Sequence, residues 1–294
     1  MMNDYFFHLD PSFRDPETAR YRLLPVPYDG TACFLKGTVK GPEAVLAVAD
    51  QIEHFDEELR VEAFQNGILV LPEIPPADSP EEEFQRIYET VKARELFAHG
   101  SSRFPIIIGG EHSVTPPVIR AATESVENLS ILQFDAHTDL RDSYLGSRYS
   151  HACAMRRSLE YTPHLVQVGI RSISAEEFAD CPDRVHRVIT PEMIENEFGY
   201  CIDRIVHGLT GNVYITVDVD AFDPSQAPGT GTPEPGGLTW RQVVTIIRDV
   251  CIHKNVVGAD VVEVMPLGNG NIITEFLAAR LISKIMAYTF RSGG

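Results

Sequence analysis

The sequence predicts an α/β fold in which parallel β-strands alternate with helices that cover both faces of one sheet. Short apolar, β-branched runs alternate along the chain with longer amphipathic stretches, an order typical of βαβ units. Some of the short runs are apolar throughout, as expected for central strands that are buried on both faces. A chain of 294 residues suits one large α/β domain, and we expect residues 1–294 to form it.

Eight segments have the composition of β-strands. Residues 104–108 are wholly apolar and residues 213–217 are rich in β-branched side chains, which favours central parallel strands. In chain order, the predicted strands comprise residues 21–26, 67–71, 104–108, 129–134, 164–170, 184–189, 213–217 and 256–264.

Helices are predicted between these strands from their start signals and periodicity. Pro42 lies just inside the start of a helix that runs toward residue 54, and Ser79 and Thr190 each precede a proline in a helix-start pattern. The other predicted helices comprise residues 79–99 and 115–125, a helix that begins near residue 190, and residues 239–251 and 272–290.

Composition and charge exclude several classes of protein. The net charge of −17 disfavours nucleic acid as a partner, because phosphate binding requires clustered lysine and arginine. No apolar run approaches the roughly 20 residues that span a bilayer, and the N-terminus has no signal-peptide pattern, so we expect a cytoplasmic protein without membrane contact. The five cysteines include no CxxC pair, which argues against a disulfide framework or thiolate zinc site.

Acidic and histidine residues recur where the predicted strands end. His112, Asp135 and Asp218 each follow a predicted strand closely, and Glu263 lies near the end of the last predicted strand. Ligands of open α/β sheets bind beyond the carboxyl ends of the strands. We therefore expect these four segments to meet at one edge of the sheet.

The spacing of these residues indicates metal binding. Asp135, His137 and Asp139 alternate, which places their side chains on one face of an extended backbone, and Asp218 and Asp220 repeat the pattern. A lone aspartate is usually a turn former, but several close carboxylates repel one another unless a cation lies between them. Carboxylates and imidazoles without cysteine suit Mn²⁺ better than structural zinc, and Mg²⁺ stays open. Six such residues predict two ions and hydrolysis by a shared, acidified water.

In these residues the chain resembles the ureohydrolases, the arginase and agmatinase family. The resemblance extends over nearly the whole chain, from Pro27 to Glu263, and rests on a combination of very specific runs. It implies a three-layer α/β/α sandwich with a central, mostly parallel sheet and a binuclear manganese site. The runs are Gly-Gly-Glu-His-Ser at 109–113, Asp-Ala-His-Thr-Asp at 135–139, the stretches 216–224 and 227–237, and Val-Glu-Val at 262–264.

The resemblance also implies which side chains would hold two Mn²⁺ ions per subunit. Asp135 and Asp218 would bridge the two ions, and Glu263 would face the substrate guanidinium without binding metal. The first ion would be held by His112, Asp135, Asp139 and Asp218, and the second by His137, Asp135, Asp218 and Asp220.

The predicted reaction is the attack of a metal-bridging hydroxide on the guanidinium carbon, which releases urea and an amine. Glu263 would fix the planar guanidinium through paired hydrogen bonds. Asp139 would relay the proton of the nucleophile, and His151 would carry a proton to the leaving amine. Cys153 beside His151 suggests a thiol nucleophile as an alternative, but no third group that would orient the pair is evident.

The predicted substrate is a small cationic guanidino compound, and agmatine is favoured because segments 27–43 and 168–172 are more similar to agmatinases than to arginases. Arg141 would repel the ammonium of agmatine and attract a carboxylate, unless an acidic neighbour such as Asp142 pairs with it. Guanidinobutyrate and arginine therefore remain alternative substrates, and a non-catalytic metal-binding homologue remains an alternative function. The family resemblance also implies a homo-oligomer, a trimer or hexamer.

Overall fold

A computed structural model describes residues 4–181 and 188–290. Its centre is a sheet of eight strands in which all hydrogen-bonded neighbours are parallel, and a two-stranded antiparallel hairpin lies apart from it. The described strands are β1 (Tyr21–Val26), β2 (Phe55–Asp56), β3 (Val61–Glu62), β4 (Ile68–Val70), β5 (Phe104–Gly109), β6 (Leu129–Phe134), β7 (His164–Val168), β8 (Val188–Ile189), β9 (Asn212–Asp218) and β10 (Asn255–Val262).

Helices cover both faces of the sheet, which gives the predicted three-layer α/β/α sandwich. The described helices are α1 (Gly41–Val48), α2 (Pro80–Ala93), α3 (Thr115–Thr123), α4 (Ala154–Ser158), α5 (Ala175–Asp180), α6 (Pro191–Gly208), α7 (Trp240–His253) and α8 (Ile273–Tyr288). One apolar core contains side chains of α1, α6, α7 and α8, and the other contains side chains of α2, α3 and α4.

The strand order brings the candidate site together. In the sheet, β5, β10, β9 and β6 are consecutive neighbours within the order β4-β1-β5-β10-β9-β6-β7-β8. Because all four strands run in the same direction, their carboxyl ends lie side by side. The residues that follow these four strands are therefore neighbours in space, although up to 151 positions separate them in the chain.

Most predicted elements are confirmed, with shifts at their ends. The predicted helix at 79–99 ends earlier, at Ala93, and Glu95 then takes a left-handed backbone conformation with φ of 51°. The hairpin of β2 and β3 and the short helices α4 and α5 were not predicted. Of the strand predicted at 184–189, residues 188 and 189 are a strand, and the remainder falls outside the described residues.

Two further expectations concern the described residues alone. All five cysteines lie in this part of the chain, and none of them forms a disulfide. No helix found there is long and apolar enough to cross a bilayer.

Candidate metal centre

Four strand ends supply the candidate site. Asp218 is the last residue of β9, Asp135 directly follows β6, and His112 begins a 3₁₀ turn three residues beyond β5. Glu263 was expected within the last strand, but β10 ends at Val262. The φ of 63° at Glu263 turns the backbone out of the strand, so this residue projects from the sheet edge instead of continuing the ladder.

The first cluster surrounds the Nδ1 atom of His112. This atom lies 3.0 Å from Asp135 Oδ2, 3.2 Å from Asp139 Oδ2 and 3.6 Å from Asp218 Oδ2, and all four side chains are at most 8% exposed. Despite these distances, Nδ1 is buried with no hydrogen-bond partner of suitable geometry among the described residues. A buried nitrogen left in this state is expected where a metal ion completes the set.

The other ring nitrogen of His112, Nε2, is hydrogen-bonded to a residue outside the cluster. This atom lies 2.8 Å from Thr216 Oγ1, and the Thr216 hydroxyl in turn donates to Asp260. Since that hydroxyl has only one proton, Nε2 must be the donor, and the neutral form of the ring, which is the form that binds metal, therefore has its lone pair on Nδ1. Such a donor arrangement is typical of metal-bound histidine. Thr216 and Asp260 were not predicted as functional residues, although each is a polar residue inside an otherwise apolar strand.

The second cluster surrounds His137. Its Nδ1 lies 2.9 Å from Asp220 Oδ2 and 3.6 Å from Asp135 Oδ1. Asp135 thus turns one carboxylate oxygen toward each histidine. Two groups of ligand atoms, each within 4.8 Å of one another, fit a cation: His112 with Asp135 and Asp139, and Asp135 with His137 and Asp220.

Fixed donors orient the carboxylates. Gln133 Nε2 donates to Asp135 Oδ2 at 2.7 Å, and the backbone N–H of Ala136 donates to Asp220 Oδ1 at 2.9 Å. The backbone N–H of Asp220 donates to Asp218 Oδ1 at 2.8 Å. Asp218 and Asp220 are each oriented by a backbone donor to Oδ1, and Asp135 is held at both oxygens, because the backbone N–H of His137 donates to its Oδ1 at 2.6 Å.

The predicted single face of Asp135, His137 and Asp139 is wrong in detail. The φ of Asp139 is 52°, so the backbone is not extended through the motif, and Asp139 turns toward His112. Asp220 likewise lies in a 3₁₀ turn, Val219–Ala221, and not in an extended segment. Non-glycine residues in left-handed conformations are strained and concentrate at functional sites.

The pKa values of Asp139 and His137 are both raised, which means that the two clusters stabilise added positive charge. Burial raises the pKa of Asp139, and repulsion by Asp135 adds to it, to about 7. Burial alone would lower the pKa of His137, but the carboxylates of Asp135 and Asp220 outweigh it and raise the pKa to about 12. Protons compensate here for clustered negative charge, and divalent cations bound to the same atoms would replace them.

A cavity of about 280 Å³ opens over both clusters. His112, His137, Asp139, Asp218, Glu263 and His151 all contribute to its lining. Glu263 is held by the backbone N–H of His112, which donates to Oε1 at 2.8 Å. Cys153 is fully buried, and burial raises the pKa of its thiol to about 12, which opposes the thiol-nucleophile alternative.

Arg141 also lines this cavity, but its charge is compensated. Its guanidinium lies 3.6 Å from Glu176 and 4.0 Å from Glu177, and its central carbon is 4.9 Å from the centre of the Tyr144 ring. Asp142, the partner that the sequence suggested first, pairs instead with Arg157 at 2.6 Å. The expected ion pair thus exists with other carboxylates.

A sequence model of the arginase family matches residues 19–288. The chain belongs to the arginase family. This agrees with the sheet and with the histidine–aspartate clusters, and it confirms the resemblance seen in the sequence motifs.

Individual members of the arginase family are similar to this chain over most of their length. The N(1)-aminopropylagmatine ureohydrolase of Thermus thermophilus is 39% identical over 266 residues, which cover 90% of this chain and 89% of the relative. The agmatinase of Pyrococcus horikoshii is 33% identical over 279 residues, 94% of each chain. The crystal structure of the agmatine ureohydrolase of Thermoplasma volcanium superposes with a TM-score of 0.82 at 30% identity, over 94% of this chain and 92% of that one.

Proposed function

We propose that this arginase-family protein hydrolyses the guanidinium group of agmatine or of an agmatine extended by an aminopropyl group, with two Mn²⁺ ions as cofactors. The observation that carries the proposal is the pair of His–Asp clusters that share Asp135 beneath a cavity also lined by Glu263 and His151. Guanidinium hydrolysis requires a strong nucleophile, a group that holds the planar cation and a proton donor for the leaving amine.

The two ions would be held by the ligand sets that the family resemblance implies, each of which includes Asp135 and Asp218. In support, the two clusters of the structure share Asp135, and Asp218 Oδ2 lies 3.6 Å from His112 Nδ1 in the first cluster. Their carboxylate and imidazole donors suit Mn²⁺. Bound ions of this kind lower the pKa of water so that it becomes a nucleophile near neutral pH.

The remaining groups act on substrate and protons. Glu263, held by the His112 backbone, would accept hydrogen bonds from the guanidinium and fix its carbon above the clusters. Asp139 would take the proton of the attacking water at its carboxylate. His151, neutral at rest, would first accept the proton that Asp139 takes from the water and then deliver it to the departing nitrogen, so that urea and an amine leave.

Two observations support an amine-type substrate. The net charge of −17 attracts cations, and Glu176 and Glu177 compensate Arg141, the cation at the cavity. Relatives named for aminopropylagmatine reach 39% identity, whereas the agmatinases of Pyrococcus horikoshii and Bacillus subtilis reach 33% and 32%. This difference favours the extended compound as a second candidate beside agmatine.

A urea-release assay with Mn²⁺ tests the proposal. Agmatine, aminopropylagmatine, arginine and guanidinobutyrate are compared by kcat/KM at equal enzyme and metal concentrations. We expect one of the two amines to give the highest value. A higher value for guanidinobutyrate or arginine would refute the substrate assignment, and no urea from any of the four would refute the hydrolytic function.

Two wider expectations stay predictions. A trimer or hexamer would be recognised by light scattering during size-exclusion chromatography. One domain over residues 1–294 predicts a single cooperative unfolding transition in calorimetry, provided that the oligomer does not dissociate separately.

A further inference from the structure

The hydroxyl of Thr31 lies between a buried carboxylate and His151. Thr31 Oγ1 donates to Glu111 Oε1, and the Thr31 backbone N–H donates to Glu111 Oε2 at 2.9 Å. On the other side, the backbone N–H of His151 donates to Thr31 Oγ1 at 2.9 Å, and His151 Nδ1 lies 3.3 Å from the same oxygen. These three residues come from segments up to 120 positions apart in the chain.

The proton count at this oxygen fixes the direction of each bond. A threonine hydroxyl has one proton and two lone pairs. An ionised Glu111 has no proton to donate, so this fully buried carboxylate accepts the Thr31 hydroxyl, the Thr31 backbone N–H and the Ser113 hydroxyl at 2.6 Å, and the Thr31 proton is then committed to it. The contact with His151 Nδ1 can then be a hydrogen bond only if Nδ1 carries the proton.

The consequence concerns the other nitrogen of the imidazole. Burial lowers the pKa of His151 to about 4, so the ring is neutral near pH 7 and has a single N–H. With that proton on Nδ1, the lone pair is on Nε2. His151 lines the cavity above the clusters, and Thr31 already occupies the Nδ1 side of its ring.

We propose that Thr31, oriented by Glu111, is a positioning residue that holds His151 as the Nδ1–H tautomer and presents the Nε2 lone pair to the substrate. The inference rests on the proposed function for the role of His151, but the tautomer itself is independent of turnover. Neither Thr31 nor Glu111 was among the functional residues predicted from the sequence. Both residues nevertheless lie in motifs that carry the family resemblance, Thr31 in the segment 27–43 and Glu111 in the run at 109–113.

The first test measures the tautomer directly. The protein is labelled with ¹⁵N in its histidine rings and loaded with Mg²⁺, because Mn²⁺ is paramagnetic, and His151→Asn identifies the signals of His151. We expect the two-bond ¹H–¹⁵N pattern of a neutral ring protonated on Nδ1. A neutral ring protonated on Nε2 in the unmodified protein would overturn the proposal, whether or not the Thr31 variants fold.

The second test uses a matched set of threonine variants. Thr31→Val removes the hydroxyl at almost constant volume, Thr31→Ser keeps it, and Thr123→Val at the end of α3 controls for the substitution itself. In Thr31→Val we expect the proton to move toward Nε2 and kcat to fall about 10- to 100-fold, since acid–base catalysis contributes about 100- to 10 000-fold. The kcat values of Thr31→Ser and Thr123→Val are expected to stay within about threefold of the parent value, because both variants keep the hydroxyl at position 31 that orients the proton shuttle.

The outcomes separate this inference from the proposed function. An unchanged tautomer and kcat in Thr31→Val would refute the positioning role even if the unmodified protein releases urea. A protein that releases no urea, yet shows a proton on Nδ1 that depends on Thr31, would refute the proposed function and support the assigned tautomer.

Discussion

His112 Nδ1 and Asp135 Oδ2 lie 3.0 Å apart, with each side chain only 1% exposed, yet Nδ1 has no properly directed hydrogen bond in the described parts of the chain. Such a pair is destabilising unless a charge lies between the two atoms, because buried polar groups without partners cost free energy. The stability of the fold should therefore depend on metal.

Metal removal is predicted to lower the melting temperature. An ion at about 100 times its dissociation constant adds about 2.7 kcal/mol per site, so two ions add about 5.4 kcal/mol, and in a chain of 294 residues each kcal/mol raises Tm by about 1–2 °C. Mn²⁺ should thus raise Tm by about 5–10 °C over chelator-treated protein in differential scanning fluorimetry. Equal melting temperatures with and without Mn²⁺ would argue against a folded-state metal site.

Asp220→Asn is predicted to bind less metal and to lose most of its activity. Asp220 contacts His137 at 2.9 Å, and an amide is a weaker ligand than a carboxylate. Asp203→Asn, on the exposed side of α6, removes the same charge and serves as control. Metal content by mass spectrometry and urea release are measured together. Two bound ions with full turnover in Asp220→Asn would remove Asp220 from the ligand set.

Glu263→Gln is predicted to weaken the binding of the guanidinium without changing the binding of metal. Truncating one partner of a buried charge pair costs about 2–5 kcal/mol, so kcat/KM should fall at least about 30-fold. Because Glu263 is expected not to be a ligand, the Mn²⁺ content should not change. Glu124→Gln, remote from the cavity at the end of α3, should behave like the parent protein. Loss of metal in Glu263→Gln would instead make Glu263 a ligand.

The sequence predicted which residues of the site are neighbours better than it predicted where their side chains point. His112, Asp135, Asp218 and Glu263 were predictable as neighbours because strand ends of a parallel sheet share one edge. The side-chain directions were not, since Asp139 and Glu263 have positive φ values, and tertiary contacts impose such conformations.

Polar contacts behind the site were the hardest to predict. Thr216 and Asp260 lie in neighbouring strands, and their bond depends on the register of β9 against β10, in which Asp260 pairs with Thr216. Thr31 and Glu111 meet across 80 positions of the chain. Local patterns contain no information on such pairings. The pairing of Arg141 with α5 was equally hidden, because α5 itself was not predicted.

Arg141→Met is predicted to leave KM for agmatine within about threefold of the parent value, because half-exposed ion pairs contribute little. The Glu176 and Glu177 carboxylates already compensate the guanidinium. Arg148→Met, at another exposed ion pair, is the control. If KM for guanidinobutyrate rose much more than KM for agmatine, Arg141 would be a carboxylate-binding residue and the amine assignment would weaken.

Glu83 is predicted to make stability fall as pH rises from about 5 to about 7. Burial raises its folded-state pKa to about 7 from an ordinary value of 4.5, and Oε1 has no hydrogen-bond partner within the described segments. In this pH window the folded state binds a proton that the unfolded state has lost, so its advantage disappears as pH approaches 7. A one-unit difference in pKa corresponds to about 1.4 kcal/mol.

Urea unfolding at pH 5, 6 and 7.5 tests this prediction. Glu83→Gln should lose less stability between pH 5 and pH 7.5 than the parent, because its side chain does not titrate. Glu82→Gln, on the exposed side of the same helix, should keep the parental slope. Parallel slopes for the parent and Glu83→Gln would show that Glu83 titrates normally.

Arg171→Lys is predicted to leave Asp220 of the second cluster less firmly held, although Arg171 itself is not a ligand residue. The Arg171 guanidinium donates to the carbonyls of Asp220 and Glu234 at 2.7 Å each, and to those of Pro235 and Gly169 at 3.0 Å each. It thereby ties the loop at 223–237 to the Asp220 turn. A lysine ammonium has three donors on a flexible stem and cannot reproduce this planar arrangement.

Carbonyls left without a donor cost about 1–3 kcal/mol each where they are buried. With one or two such losses, about 1–6 kcal/mol in total, Tm of Arg171→Lys should fall by about 2–10 °C, and Mn²⁺ affinity should fall because Asp220 is less firmly held. Scanning fluorimetry and a Mn²⁺ titration measure the two effects, with Arg148→Lys as the surface control. A lower Tm with unchanged Mn²⁺ affinity would mean that Arg171 stabilises the loop without positioning Asp220, since only a displaced Asp220 carboxylate would weaken the binding of the ion.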